Sequence, residues 1–161
     1  MNTKNELEFE NIISELLVNT TVQQMDNYRQ HYNTSCLEHC KHVAYYNYII
    51  CKKLGLDYKL AARAGLLHDL FLYDWRKRQP GRRRLHAFYH PRTSLENAKK
   101  LFILSPKEED IILKHMRPLT IILPKYPESY IITFTDKYCT LVETFNYYSN
   151  LIKSKILKIN T

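Results

Sequence analysis

The 161-residue chain holds 7 histidines and 16 acidic residues, its stock of metal-ligating and proton-carrying groups. The stretch AARAGLLHD, residues 61–69, sets an imidazole beside a carboxylate directly after an apolar run. Composition alone yields on the order of one such dipeptide, so His68-Asp69 takes its meaning from its surroundings. At a helical 100° per residue, Leu60, Ala61, Ala64, Leu67, His68 and Phe71 share one stripe, which points His68 with the core-facing residues. A polar ring placed there must be hydrogen-bonded or metal-bound, because burying it unpaired costs free energy. Four further candidate ligands lie at helix boundaries or on helix faces. His39, in EHCKHVA, is at the edge of the stripe Cys36, Cys40, Val43, Asn47 and Ile50, with His42 turned further toward solvent. His90 precedes Pro91, His115 closes IILKH, and Asp136 sits in ITFTDKYC. Taken singly, each reads more simply as a hydrogen-bonded core or surface residue. Asp136 also falls nearly opposite the stripe Ile131, Phe134, Tyr138 and Leu141, so periodicity does not select it.

The elements that would carry these residues are helices. Phe9, Ile12, Ile13, Leu16 and Leu17 give residues 6–18 an amphipathic face, and a short helical piece is expected over 21–31. Ser35-x-x-Glu38 is a capping box that opens a helix running to Leu54 and stopping at Gly55. Asp57 caps the next helix, which leads into His68-Asp69. From Tyr73 to Arg92 the periodicity is lost, and a loop is expected. Thr93-x-x-Glu96 is a second capping box, and Ser105-Pro106-x-Glu108 starts another helix, which Pro118 ends. Leu119–Pro127 is an extended connection. A last long helix is expected from about Ser129 to about Tyr148, with a short helix in the basic tail. The expected fold is all-α: one compact domain over 1–161 with six or seven helices, its motif-bearing core spanning about 35–140.

Composition agrees. The hydrophobic fraction of 45% and charged fraction of 25% are those of a globular protein, and 3 glycines are too few for a turn-rich sheet protein. No apolar run approaches the ~20 residues that span a bilayer, and the acidic N-terminus lacks a signal-peptide core, so a cytoplasmic protein is expected. The four cysteines, Cys36, Cys40, Cys51 and Cys139, contain no CxxC pair and read as buried, reduced thiols. The formal charge of +8 favours polyanionic partners.

The ordered series His39 in EHCKHVA, His68-Asp69 in AARAGLLHD, His90 in HPRTSLENA, His115 in IILKHMRPL and Asp136 in TFTDKYC resembles the HD-domain superfamily of metal-dependent phosphohydrolases. The resemblance covers roughly residues 35–140. It implies an all-α fold with a central metal site. His39, His68, Asp69 and Asp136 would be the basic ligand set, and His90 and His115 the extra histidines of the two-metal subgroup. Leu70-Phe71 follow the dyad where many members carry a glycine, and His86, four residues before His90, competes with it as the ligand. His90 is favoured by its spacing to Ser94 and Ala98.

Imidazole and carboxylate donors suit Fe, Mn, Ni, Co or Zn better than Ca, with Mg within range. One or two such ions lower the pKa of a bound water, and metal-bound hydroxide can then attack phosphorus. The expected activity is hydrolysis of a phosphate ester or anhydride of a small molecule, a nucleotide or dinucleotide, with His68 and Asp69 at the reacting centre. Lys137, beside Asp136, and Arg117, beside His115, are placed to meet phosphate. The basic run Arg76, Lys77, Arg78, Arg82, Arg83 and Arg84 reads either as a solvated loop or as a phosphate-gathering lid. It also motivates the alternative of a non-catalytic module that binds a phosphorylated ligand or nucleic acid. No membrane partner is expected.

Overall fold

The computed structural model describes residues 3–77 and 85–159. Among these residues there are seven α-helices and one two-stranded hairpin. Helix α1 (Thr3–Leu17) is followed by α2 (Thr20–Gln23), a 3-10 turn, β1 (Arg29–His31) and β2 (Thr34–Ser35). Then come α3 (Cys36–Lys53), α4 (Tyr58–Leu67), α5 (His86–Leu101), α6 (Pro106–Lys114) and α7 (Pro127–Ile159). No helix among the described residues is long and apolar enough to cross a membrane.

The helical hairpin α3–α4 is the frame of the site. Ser35 caps α3 by accepting from the Glu38 amide at 3.1 Å, and Asp57 caps α4 by accepting from the Leu60 amide at 3.2 Å. Between them Gly55 takes φ +69°, a left-handed turn that other residues adopt only with strain. The two helices touch closely at Gly65, where an added Cβ would lie 2.8 Å from the Ala44 Cα. The predicted stripe of α4 is the buried one: Ala61, Ala64, Leu67, His68 and Phe71 are all inside. Each fully buried Leu or Phe here contributes about 1.5–3 kcal/mol. A buried polar chain ties α7 to both helices. Thr135 donates to Asn47 Oδ1 at 2.6 Å, and Asn47 Nδ2 donates to the Ala61 carbonyl at 3.4 Å. Asp110 anchors α6 to the start of α7, accepting from the Lys125 amide at 2.9 Å and the Ser129 hydroxyl at 2.7 Å. All four cysteines are buried, free thiols.

Four expectations need correction. Residues 29–31 are a strand of the hairpin and not helical; Tyr32, at φ 47°, turns the chain back, and the Cys36 amide closes the loop on the Tyr28 carbonyl at 2.7 Å. The 73–92 loop is shorter than expected, because α5 starts at His86. His86 and His90 pack on Phe71, with ring centroids 4.7 and 5.9 Å away, and this packing holds the first turn in spite of Pro91. Thr93 therefore lies inside α5, where its hydroxyl donates to the Tyr89 carbonyl at 3.3 Å instead of capping an end. Finally, α7 runs unbroken to Ile159, since no glycine or proline interrupts it after Pro127. Arg78, Arg82, Arg83 and Arg84, most of the basic run, lie outside the described residues.

Candidate metal centre

Four imidazoles converge from four helical positions, each held the same way. His68 follows the last turn of α4, and its Nδ1 donates to the Gly65 carbonyl at 2.8 Å. His115 follows α6, and its Nδ1 donates to the Ile112 carbonyl at 2.8 Å. In α5 the Nδ1 of His90 donates to the His86 carbonyl at 3.0 Å. In α3 the Nδ1 of His39 donates to Glu143 Oε2 at 3.0 Å. A carbonyl or carboxylate only accepts, so each ring carries a proton on Nδ1 and turns its Nε2 toward the centre, where a neutral ring offers a lone pair. Metal-ligating histidines are oriented in this way.

The four Nε2 atoms meet two carboxylates. Asp136, from α7, places Oδ1 3.2 Å from His39 Nε2 and 3.9 Å from His68 Nε2. Asp69 turns its two oxygens to different neighbours: Oδ2 lies 3.6 Å from His68 Nε2, whereas Oδ1 lies 3.1 Å from His90 and 3.5 Å from His115. The six predicted residues are thus one cluster, and every one is buried. Three overlapping sets, His39-His68-Asp69, His68-His115-Asp136 and Asp69-His90-His115, each bring ligand atoms within 4.8 Å of one another and can hold a metal ion.

The cluster fits cations better than protons alone. His68 Nε2 and Asp69 Oδ1 are buried without a hydrogen-bond partner, which costs free energy unless something binds them. His90 Nε2 and His115 Nε2 approach to 2.8 Å with both lone pairs facing. Burial opposes charge on His39 and His68, but the adjoining carboxylates outweigh it and hold both imidazoles well above their usual range. Burial, together with the neighbouring His68 and His90, instead depresses His115 to about 3. Asp69 and Asp136 resist burial because the imidazoles around them keep both carboxyls ionised.

His86 does not join the cluster. Its ring stacks on His90 at 4.4 Å, and its Nδ1 meets the Tyr73 hydroxyl at 3.2 Å. Asp69, His90 and Asp136 open onto a cavity of about 730 Å³, whose wall includes Lys137, Thr140, Leu141, Met116 and Trp75. Burial lowers the pKa of Lys137 there. Arg117 is half-buried and is not among the residues lining this cavity. A second cavity of about 800 Å³ shares Gln30, His31 and Trp75 with the first and adds Tyr28, Arg29, Arg76 and Tyr147.

Two supporting residues escape the sequence reading. Glu143 is buried against His39 and also accepts from His42 Nδ1 at 2.9 Å; it lies seven residues after Asp136, so helical spacing could have found it. Its carboxyl is held down to about 2, because burial is outweighed by its bonds to His39 and His42. Gln30 donates its amide to Asp69 Oδ2 from the hairpin, and no local signal announces that contact.

The HD-domain family model matches residues 36–141, the segment that carries all six residues. The chain belongs to the HD-domain family. That superfamily is one of metal-dependent phosphohydrolases, and its all-α architecture is the one seen in this HD domain. Among curated proteins, the chain is similar to Ribonuclease Y of Aquifex aeolicus (strain VF5), with 51% identity over 43 residues. It is likewise similar to Ribonuclease Y of Bacillus thuringiensis (strain Al Hakam), with 49% identity over 43 residues. Each match takes in 27% of this HD-domain chain and 8% of the relative, so the chain spans only a small part of the length of those proteins. No solved structure matches it.

Proposed function

We propose that the chain is a metal-dependent phosphohydrolase that cleaves a phosphate ester or anhydride of a nucleotide. The observation that carries the proposal is the convergence of four histidine Nε2 atoms on two ionised carboxylates at the edge of a cavity. His39, His68, Asp69 and Asp136 would hold one ion; Asp69, through its other oxygen, would share in a second with His90 and His115. The donor set suits Fe, Mn, Ni, Co or Zn, with Mg within range. Such ions supply Lewis acidity, which lowers the pKa of water and offsets charge on phosphate.

The chain's own residues do the rest. The four Nδ1–H bonds fix the rings, so little reorganisation accompanies binding. Gln30, bonded to Asp69 Oδ2, sets the plane of that carboxylate, and Glu143 sets the plane of His39. Lys137 stands on the cavity wall beside Asp136, where an ammonium would hold a phosphate oxygen. The second cavity, with Tyr28, Tyr147, Arg29 and Arg76, offers aromatic faces and guanidinium groups to the remainder of a nucleotide.

A second reading makes an RNA phosphodiester the substrate. It is favoured by the name of the Ribonuclease Y relatives and by the continuation of the cavity past Trp75. One assay separates the readings: manganese-loaded protein is given nucleoside mono-, di- and triphosphates, a dinucleotide and a short single-stranded RNA. Turnover confined to the small molecules supports the first reading, and RNA cleavage the second. Turnover that survives the double substitution His68→Ala, Asp69→Ala contradicts both.

A further inference from the structure

Helix α7 carries an apolar face that the other described residues leave mostly uncovered, touching it at Tyr138, whose ring meets Tyr46 at 5.1 Å, and at Tyr148, whose ring meets Tyr32 at 5.2 Å. Phe134, Tyr138, Leu141, Phe145, Tyr148 and Ile152 succeed one another in steps of four, three, four, three and four residues, the spacing with which one helix packs along another. All six are exposed, from 40% for Tyr138 to 72% for Phe145. The opposite face, with Ile132, Thr135, Asp136, Cys139 and Glu143, is the one buried toward the core and the metal cluster. From Asn150 to Lys155 every side chain is exposed, so these turns draw little support from the other described residues. Unsupported helical turns are marginal in water.

We propose that this face is a dimer interface, in which α7 packs antiparallel against α7 of a second copy of the chain. The order four-three-four-three-four reads the same in either direction, as a twofold axis requires. An antiparallel pair centred near residue 143 sets Phe134 against the partner's Ile152, Tyr138 against the partner's Tyr148, and Leu141 against the partner's Phe145. It also keeps the two basic ends, with Lys153 and Lys155, far apart, whereas a parallel pair would crowd them together in a chain of net charge +8. The exposed parts of six side chains of this size amount to about 650 Å² per copy, or roughly 1,300 Å² for the pair, within the range of a specific interface. The stripe contains no charged residue from Phe134 to Ile152, as the core of an interface requires. Leu141 also lines the metal-centre cavity, so the interface reaches its rim.

Sedimentation velocity of the full chain at tens of micromolar tests this directly, whether or not the chain hydrolyses phosphate. The unsubstituted protein is expected as a dimer. The double variant Leu141→Glu, Phe145→Glu is expected as a monomer with an unchanged far-UV circular dichroism spectrum, since both side chains are exposed in one copy. A monomeric unsubstituted protein overturns the proposal and leaves the face to a different partner; a double variant that stays dimeric overturns it by placing the interface elsewhere. Orientation is read by mild oxidation, with the four native thiols buried. The pair Phe134→Cys, Ile152→Cys should give a covalent dimer and Phe134→Cys alone should not. Cross-linking by Phe134→Cys alone overturns the antiparallel arrangement.

Discussion

The Nε2 atoms of His90 and His115 lie 2.8 Å apart, although each ring already donates its Nδ1 proton to a carbonyl of its own helical segment. Two lone pairs at that distance repel unless a cation or an added proton lies between them. Asp69 Oδ1, 3.1 Å from one and 3.5 Å from the other, supplies the negative charge that such a cation needs. On this account His115→Ala removes one metal ion per chain and keeps the other, with the helical content unchanged. Metal analysis beside circular dichroism checks it; loss of both ions together would show that the six residues serve one ion.

Chelation should destabilise the protein. A ligand present at a hundred times its dissociation constant stabilises the folded state by about 2.7 kcal/mol. For a chain of this size that corresponds to a fall in Tm of roughly 5–10 °C on stripping the metal. Thermal melts with and without chelator, and after manganese is restored, provide the measurement. Identical melts throughout would contradict binding at the buried cluster.

On this account Glu143 would act on a bound metal through His39, to which it is hydrogen-bonded. Glu143→Gln retains an acceptor but loses the charge that holds the imidazole in place, and orienting partners of this kind typically contribute 10–100-fold to metal affinity. The expected result is a loss of that size in a competition titration, with turnover restored at saturating metal. Turnover that stays low at saturation would instead place Glu143 in the reaction itself.

Gly65→Ala tests the frame. The new Cβ would sit 2.8 Å from both the Ala44 Cα and the Asn47 Nδ2, a contact that α3 and α4 relieve only by moving apart. A destabilisation of about 1–3 kcal/mol is expected from overpacking, read by urea denaturation. An unchanged midpoint would mean that the two helices shift without cost.

Acid should weaken the contact between α1 and the frame. The Glu8 carboxyl is held at about 2, against an ordinary 4.5, by its bonds to Lys52, Tyr58 and Tyr48. A depressed carboxylate contributes stability that is present above pH 4.5 and is lost as the pH falls through 2. Glu8→Gln should flatten this part of the stability profile and leave stability at neutral pH only slightly lower, because the pair is one-third exposed. A profile with the same slope in the variant would assign acid lability to other groups.

The sequence was most legible where hydrophobic period and burial agree. The α4 stripe that leads into His68 is buried as its spacing predicts, and the helix expected to start at Ser105-Pro106 does so, with Ser105 and Glu108 capping each other. Helix α7 inverts that logic. Its most regular apolar stripe faces outward, and its inward face holds Thr135, Asp136 and Glu143, because what it meets there is the polar histidine–aspartate cluster. Periodicity therefore passed over Asp136, and only the resemblance to the HD-domain series supplied it. Gln30 sits on the hairpin and reaches Asp69 across 39 residues of sequence, a contact that no local pattern reveals. The start of α5 was missed because Pro91 reads as a helix boundary, and packing of His86 and His90 on Phe71 overrides that signal.

The most direct test of the central claim is elemental analysis of tag-free protein purified without chelators. Two transition-metal ions per chain are predicted, falling to none in the His68→Ala, Asp69→Ala variant. A chain that holds no metal, even after manganese or ferrous iron is supplied, would contradict the account.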